Sequence, residues 1–386
     1  MIPRLRGEIP VLSDTNKTRD FPSLETRTYL NTAAEGIPPR AVVDAVRQYA
    51  EDRTLGMDGR KLHEVRRKAA REAVGKAFGL SADEIGICSC SSEAYNLAAL
   101  AMRFRDGDEV VINDLDFPAG ATPWMQSSCP ATVRVWRARD GALRVDDLAE
   151  LLSSKTRLVT VSLVSFFNGF KIPLNEVVET VRNRSASLLA LDVTQALGRI
   201  PMDLSGIDLI VSSTHKWILG THGGGLVGVP SARAEELTVP AGGWFNLENA
   251  FEPDRFERVL TRPGAASFCV GMPNYAAIYA VEAALDYIDS LGVTRIDEYA
   301  RSLILACLEG LKKLDVELLT PDEPRSLAGI LAFRHPRAEV INEYLHERDI
   351  HIMSHAGRLR VAIHFYNTMA DVERLLGALK EALAAV

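Results

Sequence analysis

Lys216 follows an apolar run at 209–211 and the small polar residues Ser212, Ser213, Thr214 and His215, with a glycine-rich turn and a second apolar run at 225–229 after it. An amine just past the end of a buried strand loses hydration, which lowers its pKa toward the range of a nucleophile or base. Such a lysine can form a Schiff base with a carbonyl compound; the competing reading is a surface lysine in a turn. Asp192 closes another apolar run at 188–191 and stands three residues before Gln195. A carboxylate buried there is costly unless it caps a helix or faces a cation, and a protonated pyridine nitrogen is one such cation. Ser91 and Ser92 lie between an apolar run at 84–88 and a helical pattern beginning near Glu93. Free amides and hydroxyls at a helix start bind anions such as phosphate, although the same residues also serve as simple caps.

The elements that must hold these residues follow from periodicity. Short β-branched runs at 84–88, 109–112, 157–164, 188–192, 209–211 and 225–229 alternate with helix-length segments. Strands apolar on both faces belong to a parallel sheet covered by helices, so the fold class is α/β. Helical patterns fill 38–78. After 271 come two amphipathic helices (275–291 and 296–314), short strands at 330–333 and 359–363, and a final helix from 371. The first 25 residues are polar, with prolines at 3, 10 and 22, and are expected to form an arm lying over another part of the molecule, without a core. The chain thus divides into an arm at 1–25, a large unit at 26–270 and a smaller α+β unit at 271–386.

Composition narrows the partners. The 386 residues carry 44 Lys+Arg against 51 Asp+Glu, a formal charge of −7, and 47% are apolar. That is an ordinary globular composition; with no basic run to track a phosphate backbone, nucleic acid is not an expected partner. No stretch of about 18 apolar residues exists to enter a membrane, and the N-terminus lacks the apolar core of a secretory signal, so a cytoplasmic protein is expected. Five cysteines (88, 90, 129, 269 and 307) are odd in number and lack CxxC spacing. They read as small core residues rather than catalysts or zinc ligands. His351, His355 and His364 are spread too widely for one ligand sphere, so no metal is expected. His63 reads as a helix-surface residue, His222 as a neighbour of any carbonyl cofactor that Lys216 would bond, and Trp244 and Phe245 as a pocket wall or interface packing.

Taken together, Ser91-Ser92-Glu93-Ala94-x-Asn96-Leu97, Asp192-x-x-Gln195-x-x-Gly198 and Ser213-x-His215-Lys216 resemble the class V aminotransferase superfamily of fold-type I pyridoxal phosphate enzymes. That group includes cysteine desulfurases, selenocysteine lyases, kynureninases and isopenicillin N epimerase. The likeness runs from the segment 29–39 to the segment 359–368. It implies a large domain with a mostly parallel seven-stranded sheet between helices and a smaller C-terminal α+β domain. It also implies pyridoxal 5'-phosphate as cofactor, an amino-acid substrate, and a homodimer with active sites at the subunit interface. Lys216 matches the lysine that bonds the cofactor, Asp192 the acid at the pyridinium nitrogen, and Gln195 the amide near the phenolate oxygen. Ser91, Ser92, Ser213 and His215 match the phosphate-side residues, and Phe117 the aromatic that stacks on the ring. Arg360 matches the arginine that grips the substrate α-carboxylate, while Asn31 falls in the substrate-lining segment.

Three departures bear on the reaction. The stretch 349–360, where desulfurases present a nucleophilic cysteine, contains none. Phe166 stands where the family has an asparagine facing the ring oxygen, and Met272 stands where it has a threonine that reaches the neighbouring subunit's phosphate. Met272 cannot donate that bond, so backbone amides are expected to replace it. The favoured expectation is β-elimination, with C–S cleavage of a cysteine-type substrate or S-conjugate. Transamination, epimerisation and decarboxylation-linked deamination are the alternatives, and a catalytically silent binding module is the non-enzymatic one.

Overall fold

In a computed structural model, which describes residues 10–385, the apolar runs pair into one central sheet. After the short strand β1 (Thr28–Tyr29), the sheet is built from β2 (Ile85–Cys88), β3 (Glu109–Asn113), β4 (Thr132–Trp136), β5 (Thr156–Ser162), β6 (Leu188–Asp192), β7 (Leu209–Ser213) and β8 (Gly225–Gly228). Their order is β2-β8-β7-β6-β5-β3-β4, and every pairing is parallel except the two made by β8. Helices α1 (Asp14–Asp20), α2 (Arg40–Arg53) and α3 (Met57–Phe78) precede the sheet. Crossovers are made by α4 (Ser91–Met102), α5 (Pro118–Met125), α6 (Val145–Leu151) and α7 (Leu174–Arg184).

Both faces of the sheet are covered. Val111, Leu191 and Ile210 join one apolar cluster with Phe78 and Ile278, while their neighbours Val110, Ala190 and Val211 join another with Tyr95 and Trp124. Successive side chains point to opposite faces, so a strand buried on both sides has no polar alternation. Thr132–Trp136 differs. It is one of the two edge strands, only Trp136 is buried, and its mixed Thr-Val-Arg-Val-Trp sequence gives no continuous apolar run; it is absent from the strands expected above.

The C-terminal part contains α8 (Tyr275–Leu291), α9 (Val293–Leu311), β9 (Glu317–Leu318), β10 (Ile330–Arg334), α10 (Ala338–His346), β11 (Ile350–His351), β12 (Met353–His355), β13 (Arg358–Ala362) and α11 (Met369–Ala385). Its four-stranded antiparallel sheet has the order β12-β13-β10-β9.

The expected coreless arm needs correction. Residues 1–9 lie outside the described part, but Val11, Leu12, Phe21 and Leu24 are buried in the same cluster as Ile304, Phe333 and Phe365. Phe21 packs edge-on against Tyr287 and Phe365, with centroids 6.0 and 5.9 Å apart. A few apolar residues spaced through a polar segment suffice to seat it. Further on, β1 pairs with β11, and Asn31 bridges to Ala362, so the N-terminal segment runs from the small unit toward the sheet. Among the described residues no helix is long and apolar enough to cross a membrane.

Candidate active site

Asp192 ends β6 and Ser213 ends β7, which places both at the carboxyl edge of the sheet. Asp192 is buried; its Oδ1 accepts the Thr194 amide at 2.7 Å, and the Tyr95 hydroxyl lies 3.4 Å from Oδ2. Burial raises its pKa, and the Thr194 bonds and the Lys216 charge oppose that rise. The carboxylate therefore lacks a full counter-charge. Burial pushes the Lys216 amine down to about 8, with Asp192 favouring its charged form and Arg360 disfavouring it. Lys216 Nζ is 5.2 Å from the centroid of Phe117. Amine, acid and guanidinium thus lie close enough to feel one another's charge. A close backbone approach closes one side: the Gly36 amide donates to His215 at 2.8 Å, and a Cβ on Gly36 would lie 2.0 Å from the Lys216 carbonyl oxygen.

The start of α4 faces the end of β7. Ser213 Oγ donates to Ser91 Oγ at 3.0 Å, while Cys90 caps the helix by accepting the Glu93 amide at 3.4 Å. The first-turn amides and the Ser91 and Ser92 hydroxyls are groups that could hold an anion. β8 passes directly behind that turn, because a Cβ on Gly225 would lie 2.4 Å from the Cys90 carbonyl carbon. His215 stacks on His222 at 4.5 Å, and burial beside Lys216 pushes it down to about 4, leaving the ring neutral at pH 7. His222 Nε2 lies 3.1 Å from Glu35 Oε1, and the three side chains offer ligand atoms within 4.8 Å of one another. The two rings lie face to face, so lone pairs in their planes run side by side rather than converging on one ion.

On the opposite side Arg360 is buried on β13, donating from Nη1 to the Phe166 carbonyl at 2.8 Å. Its Nε and the Oδ1 of Asn31 are both buried and have no hydrogen-bond partner among the described residues. Asn31 is brought to Arg360 by its bridge to Ala362, two residues along the same strand. Gln195 donates to the Ala33 carbonyl at 3.1 Å and accepts the Trp217 indole N–H at 2.6 Å, which leaves one amide hydrogen free. Phe117 meets Phe166 edge-on at 5.0 Å.

One expectation is overturned. His63 is buried rather than surface-exposed: it stacks on Tyr275 at 4.9 Å, and its Nδ1 lies 3.0 Å from the Tyr279 hydroxyl. That hydroxyl already donates to Asp52 at 2.7 Å, so Nδ1 carries the histidine proton. Trp244, Phe245 and Met272 line a cavity of about 1200 Å³ whose wall includes neither Lys216 nor Asp192. His351 packs against His346, while His364 lies buried with its Nε2 2.8 Å from the Trp217 carbonyl oxygen; the histidines weighed above as metal ligands do not meet. No sequence pattern singles out Tyr95, one helical turn after Ser91, or Asp116, adjacent to Phe117, whose carboxyl burial pushes up to about 7. The same holds for Arg358, two residues before Arg360.

This donor set fits pyridoxal phosphate. A buried carboxylate without a full counter-charge suits a protonated ring nitrogen, a hydroxyl-lined helix start suits the phosphate, and an amine titrating near 8 suits the aldehyde.

Comparison with known proteins agrees. The class-V aminotransferase family matches residues 28–375. Relatives include an uncharacterized aminotransferase, YcbU, of Bacillus subtilis (strain 168), 27% identical over 92% of this chain and 94% of the relative. A cysteine desulfurase of Yersinia pseudotuberculosis serotype O:1b (strain IP 31758) is 28% identical over 98% of this chain and 97% of its own. Among solved structures, apo cysteine desulfurase from Thermococcus onnurineus NA1 superposes with a TM-score of 0.87 at 20% identity, covering 99% of this chain and 100% of that one. The cystine C–S lyase C-DES, solved with its product cysteine persulfide, gives 0.84 at 21% identity, covering 94% and 99%. The structural likenesses carry the fold, and the family match carries the assignment: the chain belongs to the class-V aminotransferase family of pyridoxal phosphate-dependent enzymes.

Proposed function

We propose that this chain cleaves the C–S bond of a cysteine-type amino acid or S-conjugate by β-elimination. The observation that carries the reading is the buried grouping of Lys216, Asp192 and Arg360 beside a 349–360 segment without a cysteine. Relatives named cysteine desulfurase and a neighbour named cystine C–S lyase support chemistry at sulfur.

Ser91, Ser92, Ser213 and His215 would hold the cofactor phosphate, Asp192 its ring nitrogen, Gln195 its ring oxygen, Phe117 its ring face and Lys216 its aldehyde carbon. Pyridoxal phosphate, when bound, supplies an electron sink conjugated with the substrate Cα. Arg360 grips the α-carboxylate with a planar fork, and Asn31 Oδ1 is free to accept a substrate N–H. Lys216, near neutral pKa, takes the Cα proton, and its conjugate acid can pass that proton to the departing sulfur. Asp192 keeps the ring nitrogen protonated, while Phe117 and Phe166, edge-on to one another, present an apolar wall to the substrate. Overall one S-conjugate and one water give a thiol, pyruvate and ammonia. With no cysteine on the 349–360 segment to accept sulfur, the sulfur leaves as free thiol rather than as a persulfide on that segment.

Purified protein loaded with pyridoxal phosphate should show a visible absorbance band that borohydride abolishes. With S-alkyl cysteines it should release thiol and pyruvate in equal amounts. Absence of the band would favour a silent binding module; pyridoxamine phosphate accumulating without thiol would favour the aminotransferase reading that the Bacillus relative's name suggests.

We further infer a cytoplasmic homodimer. Five free cysteines, two of them buried, support a reducing compartment. Exposed Met57, Phe251 and Met272 around the large cavity support a second copy of the chain as its cover.

A further inference from the structure

Arg360 is not alone. Residues 358, 360 and 362 alternate on β13 and so share one face, with two residues spanning about 6.6 Å along a strand. Arg358 is as buried as Arg360, at 5% and 4% exposure. Each guanidinium donates from Nη1 to a carbonyl of one loop, Arg358 to Phe167 and Arg360 to Phe166. Neither has a carboxylate within ion-pair reach among the described residues, and Arg360 feels the positive charge of Arg358. Two like charges, buried side by side without an acid, are an expensive arrangement unless an anion arrives to pair with them.

A single planar fork satisfies one α-carboxylate. The second guanidinium is surplus to that task. Its surroundings show where its ligand would lie. Arg358 sits over Phe167 at 4.4 Å and Phe166 at 5.4 Å; Phe166 abuts Phe117 at 5.0 Å; and Phe117 lies 5.2 Å from Lys216 Nζ. From the reacting amine outward, an apolar wall of two phenyl rings therefore ends in a cation. That sequence matches a thioether linker ending in an anion.

Resting on the C–S lyase reading above, we propose that Arg358 is a specificity-determining residue and that the substrate is a cysteine S-conjugate whose side chain terminates in an acidic group.

Two measurements test this. Calorimetry on the cofactor-loaded protein compares glutarate with butyrate, which contain neither sulfur nor amine and so report anion recognition apart from chemistry. Glutarate should bind about 10-fold more tightly or better, as expected of one charge-assisted pair. Arg358→Met should erase the preference, and Arg358→Lys should keep part of it. Equal affinities in the wild-type protein, or equal loss of both ligands in Arg358→Met as a purely structural clamp would give, would overturn the proposal. Turnover then compares S-carboxymethylcysteine with S-propylcysteine: the ratio of their kcat/KM values should favour the acid and fall about 10- to 100-fold in Arg358→Met. An unchanged ratio would also overturn the proposal. If neither thioether is cleaved but the dicarboxylate preference holds, the C–S lyase reading fails while the two-anion site stands.

Discussion

Lys216 concentrates the chemistry of the site in one titration. Its folded pKa is lowered to about 8 from 10.5, chiefly by burial. Below 8 the amine is charged in both folded and unfolded chains. Between 8 and 10.5 the unfolded chain holds a proton that the folded chain has released, so the stability of the cofactor-free protein rises with pH across that window. Lys216→Met removes the buried charge. It is expected to raise the midpoint of thermal unfolding at pH 7 in the cofactor-free protein while abolishing the borohydride-sensitive band; a lower midpoint would show that the amine is not held at a cost. Tyr95 acts one step away, through Asp192. Tyr95→Phe removes the hydroxyl 3.4 Å from that carboxylate and should reduce kcat about 3- to 10-fold, with little change in KM, in steady-state kinetics. Lys216 and Asp192 were legible because each follows an apolar strand. Tyr95 and Arg358 were not: an aromatic on an apolar helix reads as core, and an arginine on a short strand reads as solvent-facing. His63 misled for the same reason, since the basic residues around it suggest an exposed helix face.

At the scale of elements, the cofactor end of the site depends on how closely β8 passes behind α4. A Cβ on Gly225 would meet Cys90 backbone atoms at 2.4 and 2.5 Å, and backbone cannot swing aside as a side chain can. Gly225→Ala should therefore shift the first turn of α4 and weaken pyridoxal phosphate binding by about 10-fold or more, read by equilibrium dialysis, with the far-ultraviolet dichroism unchanged. Retained affinity would mean that the Ser91–Ser213 pair is not what sets the cradle. The strands beneath the site were readable because burial on both faces removes alternation, whereas Thr132–Trp136 sits at an edge where four of its five side chains are not buried. The segment at 10–25 was misjudged because its four buried apolar side chains are too sparse to form a run, though they join a core assembled from distant parts of the chain.

For the whole molecule, the cavity of about 1200 Å³ is walled by neither Lys216 nor Asp192. Its walls come from α3, the 244–252 loop and the 262–273 stretch, with Arg60 over Trp244 at 5.8 Å and Arg67 over Phe245 at 5.2 Å. No local sequence pattern could announce a surface assembled from segments nearly 200 residues apart. Around it Met57 is 74% exposed, Phe251 79% and Met272 54%, apolar area that a lone chain would leave in water. Burying three such side chains contributes several kcal/mol, at about 1.5–3 kcal/mol each, toward association. Sedimentation equilibrium should accordingly give twice the 42.3 kDa chain mass. Phe251→Glu combined with Met57→Glu places two like charges in that apolar area on each chain and should shift the protein to monomer at low micromolar concentration. On the proposed homodimer with active sites at the subunit interface, the same double variant should also bind pyridoxal phosphate more weakly. Full cofactor affinity in a monomeric variant would show that each chain completes its own site, and a wild-type monomer would remove the interface altogether.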